Sequence, residues 1–375
     1  MKRYEFLLLA VLTVLQFCLP VQAEPIDCSA PILGSWKLDR VYENASGEDR
    51  VLLDPESAAS VYAGINNVYS FSANGAGVTV STGEGVFYYP GAWRTEADRY
   101  VLSPGDEDSA PGSAMEFIYD ADENVLHRYW KDENPDAYYT DLDFVYERIP
   151  VGNWQMKQVI STEADAEPTV VDPENAQSLY AGSVDTYCFD EMWTAVVWDP
   201  VDGGDSFELE TGQWSKAGDA FLYETEGFAM EFVYDTEENI LHRYWNEENP
   251  EAAWHHLDFV YYEVPVGTWK MVQVVNTGAD GASEVLDPES SASLYSESVN
   301  VYDLYTDGTF HVALPDGGAE NGTWTLDNDD LLMIYEDGFE MQLKYDSKAD
   351  VLHRYWKDAE SDAMYSGLDF IYITF

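Results

Sequence analysis

The chain has 375 residues, which at roughly 100–200 residues per domain implies two to four domains. Eighteen Lys and Arg stand against 71 Asp and Glu, a formal net charge of −53; nucleic acid and anionic membrane are excluded as partners, because both need a positive patch to displace counterions. The hydrophobic fraction of 46% and aromatic fraction of 15% exclude a solvated acidic tail, so the chain reads as globular.

Residues 1–23 carry a basic start (Lys2, Arg3), an apolar run from Phe6 to Leu19 and a small residue, Ala23. This pattern predicts a secretory signal cut after Ala23 and a secreted, extracellular protein. The run is too short for a spanning helix, and no later stretch is long enough to span, so no membrane role is expected. Export permits a disulfide between Cys28 and Cys188; two free thiols or an intermolecular link are the alternatives, and spacing does not choose among them.

Beyond residue 23 the sequence repeats three times. G-x-W occurs at Gly34, Gly152 and Gly267, and D-P-E at Asp54, Asp172 and Asp287, each set spaced by 118 and 115 residues. L-H-R-Y-W begins at Leu126, Leu241 and Leu352, and L-D-F at Leu142, Leu257 and Leu368, spaced by 115 and 111. A period this long marks tandem domains, not a solenoid. The units are 24–149, 150–264 and 265–375, abutting at Pro150 and Pro265 with almost no linker.

In chain order, each unit opens on a strand: Trp36/Leu38, Trp154/Met156 and Trp269/Met271 place apolar residues two apart. A short helix is predicted after each D-P-E, with Asp as N-cap and Pro at the first helical position. A meander follows, in which Asp307-Gly308 and Asp337-Gly338 supply hairpin turns in unit three. Met115/Phe117/Tyr119, Leu142/Phe144/Tyr146 and their counterparts are later alternating strands. The reading is all-β: about eight strands and one short helix per unit, closing as an up-and-down barrel.

Tyr305-Thr-Asp-Gly-Thr-Phe310, Gly322-Thr-Trp-Thr-Leu326 and Leu331-Leu-Met-Ile-Tyr335, set behind the first G-x-W, resemble the bacterial lipocalin-like domains, calycin-type β-barrels. A second G-x-W at Gly91, Gly212 and Gly322 extends the resemblance to all three units. It implies three tandem eight-stranded lipocalin-like barrels that bind small molecules, with Trp36, Trp154 and Trp269 plugging one end and an Arg packed over each. The Arg that all three units keep are Arg128, Arg243 and Arg354, on the penultimate strand, whereas the family's Arg sits near the end of the strand order.

Alternation divides H-R-Y-W into Leu/Arg/Trp facing inward and His/Tyr facing outward. The third inward position of the first strand would be Arg40, Gln158 and Gln273; with Arg128, Arg243 and Arg354 these are the candidate ligand-binding residues. Zinc lacks a second shared His or Cys, and the acidic connections after Lys131, Asn246 and Lys357 lack the spaced calcium-loop pattern. No nucleophile elbow, P-loop or H-E-x-x-H occurs, so neither catalysis, a metal nor another cofactor is expected. Two functions follow: a secreted, non-catalytic binding protein holding a small apolar or amphipathic ligand, or an interaction module with filled barrels that binds a glycan or protein through exposed aromatics and acidic loops.

Overall fold

The computed structural model describes residues 28–43, 50–53, 68–73, 75–82, 85–104, 114–131, 141–162, 168–171, 186–191, 194–200, 206–226, 228–246, 255–277, 283–286, 301–314, 317–356 and 367–374. Unit one contains β1 (Gly34–Glu43), β2 (Val51–Leu53), β3 (Val68–Ser72), β4 (Gly75–Thr82), β5 (Gly85–Glu96), β6 (Arg99–Pro104), β7 (Met115–Asp120), β8 (Val125–Lys131) and β9 (Asp141–Ile149). Unit two contains β10 (Gly152–Ser161), β11 (Thr169–Val171), β12 (Thr186–Phe189), β13 (Thr194–Pro200), β14 (Ser206–Ala217), β15 (Ala220–Thr225), β16 (Phe228–Asp235), β17 (Ile240–Asn246) and β18 (His256–Glu263). Unit three contains β19 (Gly267–Thr277), β20 (Ser283–Leu286), β21 (Val301–Leu304), β22 (Thr309–Ala313), β23 (Ala319–Asp327), β24 (Asp330–Tyr335), β25 (Glu340–Asp346), β26 (Val351–Trp356) and β27 (Leu368–Thr374). The signal segment and the helices expected after Asp54, Asp172 and Asp287 lie outside the described residues.

Neighbouring strands meander in chain order, and the last strand of each unit pairs back on its first: β9 on β1, β18 on β10, β27 on β19. Closure gives each of the eight barrel strands a partner on both sides. The first strand serves two partners along one side: Gly34–Lys37 pair with β3 and Val41–Glu43 with β2. Eight strands therefore close each barrel, and a short ninth extends the sheet. Gly308 supports the expected turn with φ +78°, while Asp307 accepts the Thr309 amide at 2.8 Å.

Large rings fill the interior. Tyr69 meets Phe117 and Tyr146 at centroid distances of 5.0 and 5.3 Å, and Tyr187 meets Phe232 and Tyr261 at 5.1 and 5.5 Å. Tyr302 meets Tyr372 at 5.4 Å. Tyr69–Phe117 and Tyr187–Phe232 join strands four apart in the sheet order, whereas the Tyr–Tyr contacts join the two strands that flank the first; all are edge-to-face and add to the burial of each ring.

A β-bulge interrupts each first strand, between Leu38 and Arg40, Met156 and Gln158, and Met271 and Gln273. One extra residue exchanges the faces of everything that follows. Leu38 pairs with Tyr146 and Val41 with Phe144, both in the core, which leaves Arg40 opposite Val145 on the outer face. The expectation that Arg40, Gln158 and Gln273 point inward is thereby corrected: alternation was counted through a bulge that the sequence does not announce.

The barrels are tightly joined. Residues 150–151 separate β9 from β10, and residues 264–266 separate β18 from β19. Asn124 of unit one donates to Thr236 of unit two at 2.8 Å, and Lys216 pairs with Asp39 and Glu147. Asn239 donates to Ser347 of unit three at 3.0 Å. Units three and one meet through apolar side chains, Ala30, Ile32 and Leu33 sharing one cluster with Ala349, Val351, Ile371 and Ile373. Neither Cys28 nor Cys188 is in a disulfide.

The second G-x-W glycines lie where strands crowd. A Cβ on Gly322 would stand 2.6 Å from Phe310 Cζ, and one on Gly212 would stand 2.6 Å from Tyr223 Cε2. Replacing Gly322 with Ala is expected to destabilise unit three by about 1–3 kcal/mol through overpacking. Guanidinium denaturation measures this, and an unshifted midpoint would contradict the close packing of β22 against β23.

Candidate functional site

Three constellations recur at equivalent positions in each barrel. The first closes one end. Trp36, Trp154 and Trp269 are at most 1% exposed, and each indole N–H donates to the carbonyl four residues earlier: Ile32 at 2.6 Å, Pro150 at 3.0 Å, Pro265 at 2.8 Å. Each also meets a Tyr edge-on, Tyr119, Tyr234 or Tyr345. The Tyr hydroxyl donates to Asn124, Asn239 or Asp350 in the hairpin that follows. Those three residues have φ between +51° and +57°, a conformation that Asn and Asp tolerate better than most residues.

The Arg over the first Trp is Arg148, its guanidinium carbon 4.9 Å from the ring of Trp36. It lies on the final strand opposite Trp36, where the family resemblance locates it. Glu263 and Thr374 take the equivalent places opposite Trp154 and Trp269. Sequence reading missed Arg148 because only one unit keeps it.

Arg128, Arg243 and Arg354 face inward with Leu126, Leu241 and Leu352, as alternation predicts, and form the second constellation. Arg128 donates to the Tyr69 hydroxyl at 3.0 Å. Arg243 stands over Trp245 and Phe259 at 6.0 and 5.9 Å. Arg354, 7% exposed, lies among Tyr302, Tyr335 and Tyr372. Burial pushes Tyr335 up to about 12, against the opposing pull of the Arg354 charge. An Arg354 packed over Trp269 is therefore not what the structure shows: the side chain serves a tyrosine cluster deeper in the barrel.

The third constellation is external. His127, His242 and His353 each hold an Asp carboxylate through Nδ1, with closest distances of 2.9 Å to Asp143, Asp258 and Asp369. Beside them Tyr129, Tyr244 and Tyr355 lie parallel to the imidazoles, within 6° and at 5.7–5.8 Å between centroids. Each His precedes its Asp by 16 residues, a spacing shared by L-H-R-Y-W and L-D-F that would have revealed the pair. In unit one a depression of about 370 Å³ opens beside His127 and Tyr129, walled by Arg50, Asp120, Asp122 and Glu123. Among the described residues no group of three or more His, Cys, Asp or Glu could hold a metal ion.

Arg40 pairs with Asp39 and Glu123 on the outside of unit one. Gln273 is 4% exposed on the outer face of its barrel, opposite Ile371, which packs with unit one. Gln158 lies opposite Val260 on the outer face of unit two.

Residues 266–348 match the model of the lipocalin-like domain family. Unit three is thus a lipocalin-like barrel, and units one and two repeat its strand order. No curated protein matches the sequence. Among solved structures the chain is similar to a protein of unknown function from the DUF3598 family of Nostoc punctiforme PCC 73102, at 10% identity over 93% of this chain and 98% of that one, with a TM-score of 0.19. It is also similar to a double mutant of the vaccine antigen transferrin binding protein B from Haemophilus parasuis Hp5, at 10% identity over 90% and 75% of the two chains, with a TM-score of 0.18.

The external dyad carries a pH signature. Burial alone would lower His353, but hydrogen bonds to Asp369 and to Cys28 outweigh it and raise the imidazole to about 10. A histidine raised on folding contributes stability that is whole below its unfolded value near 6.5 and is lost as pH climbs through the folded value. Unit three should therefore weaken between about pH 6.5 and 10, and Asp369→Asn should flatten that decline. NMR titration of the His353 ring checks the assignment; a midpoint near the unfolded value would refute it.

Proposed function

We propose that the chain is a secreted, non-catalytic binding protein whose lipocalin-like barrels act as packed scaffolds and whose outer faces recognise a glycan. The observation that carries this reading is the exposure of Tyr129, Tyr244 and Tyr355, at 53%, 57% and 63%, in one fixed orientation against His in every barrel. A rigid ring in water at three equivalent places adds little to packing. It offers an apolar face with a polar tip, the kind of surface that anchors ligands at low conformational cost.

The buried rings inside each barrel favour a packed interior over a hollow one, which turns the reading away from a small apolar or amphipathic guest inside the barrel. Acidic side chains around Tyr129, such as Asp120 and Glu123, suit hydroxyl groups as hydrogen-bond partners, while a net charge of −53 repels anionic polymers. Three weak sites on one rigid chain gain avidity toward a repeating polymer.

Affinity electrophoresis in gels cast with neutral polysaccharides tests the proposal. The protein should be retarded by at least one of them, and Tyr129→Ser, Tyr244→Ser and Tyr355→Ser combined should abolish the retardation with little loss of stability, since the rings are exposed. Unretarded migration in every gel, with capture of a basic protein partner or a hydrophobic dye instead, would overturn it.

A further inference from the structure

A cavity of about 370 Å³ lies where the Trp-bearing ends of the three barrels meet, walled by residues of every unit. It is separate from the exposed tyrosines. Its charged residues are Arg148 from unit one, Glu191 and Glu263 from unit two, and Lys348 and Asp350 from unit three; the Lys348 ammonium donates to the Glu237 carbonyl and Glu191 accepts from Ser70. Arg148 and Glu263 hold the same place in the repeat, opposite the Trp of their own barrel. Elsewhere the repeat keeps Trp, Tyr, His, Asp and the inner Arg unchanged in all three units; at this junction it places opposite charges at equivalent positions.

These opposite charges do not neutralise one another. Among the described residues Arg148 forms no ion pair within 4.0 Å, and neither do Glu263 or Asp350. Arg148 is 9% exposed; one terminal nitrogen donates to the Pro31 carbonyl at 2.9 Å, while its buried Nε has no hydrogen-bond partner. Glu263 accepts from Asn239 at 2.9 Å and Asp350 from Thr374 at 2.6 Å. An ionised carboxylate has about four acceptor sites, so both retain capacity. Burial, then the neighbouring Asp350 charge, hold Glu263 well above the usual carboxylate range, against the opposing pull of Asn239 and Arg148.

We propose that this junction binds one small zwitterion, a molecule of the free amino acid class, with its carboxylate toward Arg148 and its ammonium toward Glu263 and Asp350. The cavity is near the lower end of the size range of small-molecule sites. A single charge of either sign would satisfy one pole and leave the other buried without a partner, a penalty that discriminates strongly against incomplete ligands. Unlike the outer tyrosines, which repeat, this site occurs once per chain because it needs all three barrels.

Isothermal titration calorimetry of the full chain with glycine, L-serine and L-glutamine tests it. At least one should bind with one site per chain. The amide of that amino acid, lacking the carboxylate, and its N-acetyl derivative, lacking the ammonium, should each bind at least about ten-fold more weakly. Arg148→Met and Glu263→Gln should each weaken binding by a similar factor, whereas Tyr244→Ser should leave it unchanged. Should either junction variant fail to fold, the ligand series on the unaltered protein decides. Absence of binding by all three amino acids up to about 10 mM, or equal affinity for the amide, would overturn the proposal without touching the glycan reading.

Discussion

One hydrogen bond at the Trp end of each barrel does two jobs. The indole N–H of Trp36, Trp154 or Trp269 has no water to turn to, and a buried donor left unmade would cost about 1–3 kcal/mol. Its acceptor is the carbonyl four residues earlier, Ile32, Pro150 or Pro265, in the segment that enters the barrel. The plug of the core thus fixes the direction from which the chain arrives. With two or three residues between barrels, that direction sets the angle between neighbours, and the angle brings three plugged ends to one point.

Much of this was legible in the sequence, for identifiable reasons. The repeat, the barrel and the inward turn of Leu126, Arg128 and Trp130 depend on period-two alternation and on spacing, which short-range patterns preserve. The bulge after Leu38 was not legible, since one inserted residue changes register without leaving a composition signal, and Arg40, Gln158 and Gln273 were assigned to the wrong face as a result. Arg148 was missed for the opposite reason: agreement among repeats was the guide, and the residue over Trp36 is one in which the repeats disagree. The His–Asp pairs are legible in the 16-residue spacing that L-H-R-Y-W and L-D-F share in every unit.

The charge distribution explains how so acidic a chain stays folded. Carboxylates serve as structural acceptors: Asp143, Asp258 and Asp369 take the His ring, and the half-exposed Asp120, Asp235 and Asp346 take backbone amides in the β7–β8 hairpin and its two counterparts. The few cations are placed economically, with Arg128, Arg243 and Arg354 each committed to aromatic neighbours inside a barrel. Among the described residues, exposed acids such as Glu116, Glu231 and Glu340 face solvent, where salt screens their repulsion.

The apolar seam between residues 30–33 and the outer strands of unit three has a consequence for biosynthesis. Ile32 is fully buried, and its neighbours Ile371 and Ile373 are more than three hundred residues away in the chain. Translation finishes the surface that shelters Ile32 only with the last strand, so units one and two emerge first with that seam uncovered. A domain order of this kind delays the final closure until β27 has been made and leaves the nascent chain open to chaperones and proteases in the interval. Completion of the ring is then a checkpoint: a chain truncated before β27 retains two barrels yet exposes the seam that marks it as unfinished.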